Sequence, residues 1–204
     1  MRDRRTMTFG ILVMLLIGSL VVVGCGSTPT PTPEPTPELP SVSSSSLEAV
    51  CAGDGTGVPE VAPYTQTSGI HPIKYAVDKG SGFSITSFYS TNAEWEPVKR
   101  EDRAKTELMA CIAQTEMQIE QCPYTVPPAG LKATVTRVQV VAVVTLYEAQ
   151  TGKQVAISPI MEGDPPRKCE ESESFPQNEY SKTLTGARPE DDVNAWLKQY
   201  VEVP

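Results

Sequence analysis

Five cysteines, one histidine and a few clustered acids are the side chains of this 204-residue chain with reactive chemistry to offer. Beyond Cys25 the cysteines are Cys51, Cys111, Cys122 and Cys169, separated by 60, 11 and 47 residues. Structural zinc sites draw on closely spaced Cys or His pairs. That spacing is missing, and His71 is the only histidine, so neither a metal nor a cofactor is expected. An even set of four cysteines reads instead as two disulfides, which require an oxidising compartment. Of the three connectivities that four cysteines allow, the expected one has Cys111–Cys122 as a local clasp and Cys51–Cys169 tying the ends of the domain.

His71 sits in Gly69-Ile-His-Pro72, and the chain has no Gly-x-Ser-x-Gly elbow or reactive cysteine to work with it. A loop histidine capping a backbone group is the expectation. Asp54 lies in the glycine-rich turn Cys51–Gly57, which lacks the further ligands of an EF-hand loop and the Gly-Lys-Ser/Thr of a phosphate loop. It reads as an irregular loop pinned by Cys51. Asp164, Glu170, Glu171 and Glu173 crowd a polar loop that holds Cys169. They offer oxygen ligands for a cation, but a solvated acidic run is the plainer reading. No catalytic constellation emerges, and an enzyme is not expected.

Cys25 belongs to a different pattern. Met1–Arg5 is basic, and Phe9–Val23 carries no charge. These are signal-peptide proportions; a transmembrane helix needs about 20 apolar residues. The run ends at Val22-Val23-Gly24-Cys25, which resembles the bacterial lipobox. In that family the cysteine thiol takes a diacylglyceryl group, a peptidase cleaves before it and the new amino terminus is acylated. The resemblance implies a signal peptide over 1–24, lipid on Cys25 and a place on the outer side of the cell membrane. It covers about the first 26 residues. The competing reading is an uncleaved N-terminal anchor.

Removing the leader's +2 from the net charge of −8 leaves −10 on the mature chain. Phosphate-backbone binding needs clustered Lys and Arg, so nucleic acid is excluded as a partner. Thr28–Pro40 alternates proline with polar residues and fits an extended polyproline stalk of about 40 Å. Ser41–Ser46 reads as a flexible joint. Residues 25–46 are thus a linker, and 47–204 an extracytoplasmic domain.

The expected fold is α+β: a single domain, mainly antiparallel sheet, with a C-terminal amphipathic helix packed on it and two disulfides. Ile73–Val77 and Phe83–Tyr89 form a hairpin. Leu108–Tyr124 fits either a helix or a hairpin, and a hairpin turning near Glu116 is preferred because it sets Cys111 opposite Cys122. Thr134–Tyr147 reads as a central strand, with Val155–Met161 returning beside it and Pro159 marking an edge or bulge. Val193, Trp196, Leu197, Tyr200 and Val201 make one apolar helical stripe, with Pro189 in the first turn. The Val-rich strand, Thr-Gly turn, Pro-Pro-x-x-Cys loop and terminal Trp-Leu helix are similar to domains of exported bacterial proteins with no activity attached, so none is implied. The expected role is a non-enzymatic binding or structural module of the cell envelope, held to the membrane by Cys25 and meeting an envelope protein or polymer. The alternative is a small-molecule or cation-binding lipoprotein serving a transporter or envelope complex.

Overall fold

The computed structural model describes residues 41–87, 89, 92–97, 99–127, 130–176 and 178–204. Helix α1 (Ser44–Val50) starts inside the serine stretch expected to be a joint, because Ser43 accepts a hydrogen bond from the Ser46 amide and caps it. Its buried Leu47 and Val50 anchor it. The strands that follow are β1 (Gly69–Ile70), β2 (Ile73–Asp78), β3 (Phe83–Ile85), β4 (Leu108–Val126), β5 (Leu131–Glu148), β6 (Gln154–Ile157), β7 (Met161–Glu162) and β8 (Ser181–Thr185). Helix α2 (Glu190–Val201) and strand β9 (Glu202–Val203) close the chain.

The main sheet runs β3-β2-β4-β5-β6, with β7 and β8 also pairing with β5. It is mainly antiparallel, as expected, but mixed: β2 lies parallel to β4, and β5 parallel to β8. A parallel pair needs a crossover, and the segment after β3, with its 3-10 turn at Arg100–Lys105, returns the chain to the start of β4. The β2–β3 hairpin forms, but its return strand ends at Ile85 rather than running on to Tyr89 as expected. Residues 108–124 form neither a helix nor a hairpin. They lie in the single 19-residue strand β4, paired with β5 from Leu108 to Val126. Leu108–Ile112 are buried between β2 and β5, and that packing overrides the helix preference of Glu, Met, Ala and Gln.

The disulfides join Cys51 to Cys111 and Cys122 to Cys169, with Cα atoms 5.5 and 6.4 Å apart. The expected Cys111–Cys122 and Cys51–Cys169 pairs are therefore incorrect. Eleven residues of one extended strand span about 36 Å, far beyond the roughly 7 Å that a disulfide tolerates.

Side chains alternate along β5, so Ala142, Val144 and Leu146 share one face. They join Ile73, Tyr75, Leu108 and Ile112 in the larger core, capped by Val193, Leu197 and Val201 of α2. Trp196 and Tyr200 are only half-buried at its margin, and Pro189 is the N-cap of α2 rather than a first-turn residue. Burial pushes the Tyr89 phenol up to about 12, and the Tyr75 phenol is raised for the same reason. Cys111 lies opposite Thr145 and Cys122 opposite Val135, so both disulfides pin covers on the second face. One cover is α1, whose Leu47 and Val50, with Cys51 capping its end, pack with Met109 and Cys111. The other is the loop after β7: Arg137 donates to the carbonyls of Pro166 and Arg167 at 2.6 and 2.8 Å.

Between β6 and β7 the chain breaks at Ser158-Pro159-Ile160, where Pro159 was expected to disturb the ladder. Gly57 and Gly152 hold two turns backbone against backbone. A Cβ on Gly152 (φ +68°) would collide with Gly55 and Thr56, and one on Gly57 with Gln150 and Thr151.

Candidate functional site

Cys25 lies outside the described residues. The four remaining cysteines are consumed in disulfides. Glu120, Cys122 and Cys169 come within 4.8 Å of one another, but sulfurs bonded to each other leave one carboxylate, which is no metal-binding set. Among the described residues no helix is long and apolar enough to cross a membrane.

His71 is 3% exposed and held from both sides. Nδ1 lies 2.6 Å from Glu107 Oε2, Nε2 lies 2.8 Å from the Thr67 carbonyl, and the Tyr64 ring meets the imidazole edge-on. The backbone contact is the one anticipated; Glu107 is an addition that its distance in sequence concealed. Both ring nitrogens therefore face protein partners, a carboxylate on one side and a backbone carbonyl on the other. The ring acts as a clasp, with no nitrogen left to serve a substrate. Asp54 accepts the Thr56 amide at 2.9 Å, and hydrogen bonding from the Thr56 side chain, then from its amide, holds the Asp54 carboxyl below the usual range. That is the irregular loop expected.

The acids near Cys169 do not converge on a cation. The Glu173 side chain is 4% exposed and ion-paired to Arg167 and, at 2.9 Å, to Lys182. The bond from Lys182, then that from Arg167, holds its carboxyl below the ordinary value. Glu170 pairs with Arg167 at 2.8 Å, while Asp164 lines a cavity of about 340 Å³ at the start of α2 with Glu162, Arg188, Glu190, Asp191 and Asp192. Acids at that end of a helix complement its dipole.

A second feature was not anticipated. The ladder between β2 and β4 stops at Ile112, so among the described residues no strand covers the outer edge of β4 beyond it. Thr115 to Gln121 are seven consecutive exposed residues, Met117 and Ile119 among them. A bulge at Ile119 separates the partners of Gln118 and Glu120. At the far end of the strand lies a cleft of about 500 Å³ between Pro123–Pro127 and Glu171–Phe175, where Tyr124 and Phe175 meet edge to face. Residues 123–126 pair with Leu131–Thr134 of β5, yet none of those lines the cleft. The cleft lies between the end of β4 and the loop that Cys169 ties over the second face. Sequence reasoning missed this edge because it placed a turn at Glu116. The available signal was a long strand of Gln, Thr and Glu with no Lys or Arg between Leu108 and Val126.

No protein-family model matches the chain, and no curated protein or solved structure matches it either.

Proposed function

We propose that the chain is a membrane-anchored extracytoplasmic lipoprotein whose domain is a non-enzymatic binding or structural module of the cell envelope. The observation that carries this reading is Val22-Val23-Gly24-Cys25 at the end of a short, uncharged apolar run. Two or three acyl chains bury enough CH2 groups for stable anchoring, where one is marginal. The paired cysteines of the domain support export to an oxidising compartment. The occupied nitrogens of His71 support a role other than catalysis.

The test is growth with an alkyne-bearing palmitate analogue, followed by membrane fractionation and intact mass. The wild-type chain is expected to carry label in the membrane fraction with Cys25 as its first residue. A Cys25→Ser chain is expected to lose the label. Equal labelling of both, or an uncut N-terminus, would reject the anchor. Turnover of ester, amide or glycoside substrates by the purified protein, abolished by His71→Ala without unfolding, would reject the non-enzymatic reading.

A further inference from the structure

We propose that the free edge of β4, with the cleft at its end, is a docking strip for an extended, lysine- or arginine-bearing segment of a protein partner. The proposal rests on reading the domain as a binding module. An uncovered strand edge presents alternate amide and carbonyl groups that an incoming strand satisfies by extending the sheet. Here the usable ladder is Ala113–Gln118, from the end of the β2 pairing to the bulge at Ile119. Bulges and edge prolines limit indiscriminate pairing, so the bulge and Pro123 restrict the strip to a short ladder. Beyond it, side-chain capture falls to the cleft.

Charge identifies the occupant. β4 has no cation along its 19 residues, and Glu116 has no ion-pair partner among the described residues. Glu171 at the cleft is likewise exposed and without an ion-pair partner among them. Beside it, Tyr124 and Phe175 offer aromatic surface to the stem and charge of a Lys or Arg. Glu116 and Pro123 are seven residues apart, about 23 Å along a strand, so a segment of about eight residues reaches both. A second copy is the poorer occupant, because its β4 edge carries no cation to set against Glu116.

The experiment uses the full-length chain in detergent and three fluorescein-labelled octapeptides. One alternates lysine with threonine, one alternates glutamate with threonine, and one is the lysine peptide N-methylated at alternate amides. The lysine peptide is expected to bind and to slow hydrogen exchange at Ala113–Gln118. The glutamate peptide is expected not to bind. N-methylation, which keeps the charge and removes backbone donors, is expected to weaken binding at least about tenfold, and Glu116→Lys and Glu171→Lys about fivefold each. Equal binding of the methylated peptide would reduce the effect to charge alone and overturn the proposal, as would no binding. A dimeric mass with those amides protected in the free protein would give the edge to a second copy and overturn it too. The methylation comparison decides the matter on wild-type protein even if a variant fails to fold. Failure here leaves the anchored-module reading to its own readout, palmitate on Cys25.

Discussion

His71 shows how much a single buried side chain can organise. It joins the segment before β2 to Glu107 at the entrance of β4, and its own amide donates to the Val201 carbonyl at the end of α2. Replacing it by alanine leaves the Glu107 carboxylate without its partner and removes the ring from Tyr64. His71→Ala is therefore expected to cost about 2–3 kcal/mol, measured by urea unfolding followed through tryptophan fluorescence. A cost below about 0.5 kcal/mol, the level of a plain surface substitution, would show that the clasp is not structural. Glu173 supplies a pH dependence. Its carboxyl is held below the ordinary value by Lys182 and Arg167, so the folded state binds its proton less readily than the unfolded chain does. The stabilisation is complete above the unfolded carboxylate value of about 4.3 and is lost as pH falls through the lower folded value. Between about pH 5 and 3 the wild-type melting temperature should fall more steeply than that of Glu173→Gln. Parallel curves would locate the acid sensitivity elsewhere.

At the scale of elements, the parts legible in the sequence were those whose packing is local and periodic. The 134–147 strand carries valine on alternate positions, and the terminal helix brings its own apolar stripe and acidic start, so each announces itself. β4 does not, because what makes Leu108–Ile112 a strand is burial between β2 and β5, a contact between segments far apart in sequence. Reading 108–124 as a hairpin carries the disulfide pairing into error and hides the free edge. The Ser41–Ser46 stretch misled for a different reason, since one serine in the right place is a helix cap. The revised connectivity is directly measurable. Non-reducing peptide mass spectrometry should recover Cys51 linked to Cys111 and Cys122 linked to Cys169, each bridge contributing about 4 kcal/mol in the chain-entropy account. A Cys111–Cys122 peptide would contradict the strand itself. The touching turns give a second check: Gly152→Val must relieve a positive φ and a backbone collision together, and should cost about 2–3 kcal/mol.

Across the described domain, the last residues act as a bolt. Glu202 and Val203 pair with Ile70 and Gly69, the Val201 carbonyl accepts the His71 amide, and Glu202 Oε1 accepts the Trp95 indole N–H at 2.9 Å. These bonds connect the far C-terminus to the segments flanking β2, on which α2 also rests through Val193, Leu197 and Val201. The helix alone would hold its position by apolar contact; the bolt fixes its end and closes the loop that carries Trp95. Removing Glu202–Pro204 deletes the β1–β9 ladder and leaves the buried indole N–H without an acceptor. A hydrogen bond to a charged group contributes about 1.5–3 kcal/mol and each backbone bond about 1. The truncated chain should thus lose about 3–4 kcal/mol, or roughly 10 °C in melting temperature for a domain of this size. Glu202→Gln, which keeps an acceptor for Trp95 while removing the charge, should recover most of that loss. If truncation and the full chain melt together, with no red shift in tryptophan emission, the C-terminus contributes nothing to the closure and α2 is held by its apolar face alone.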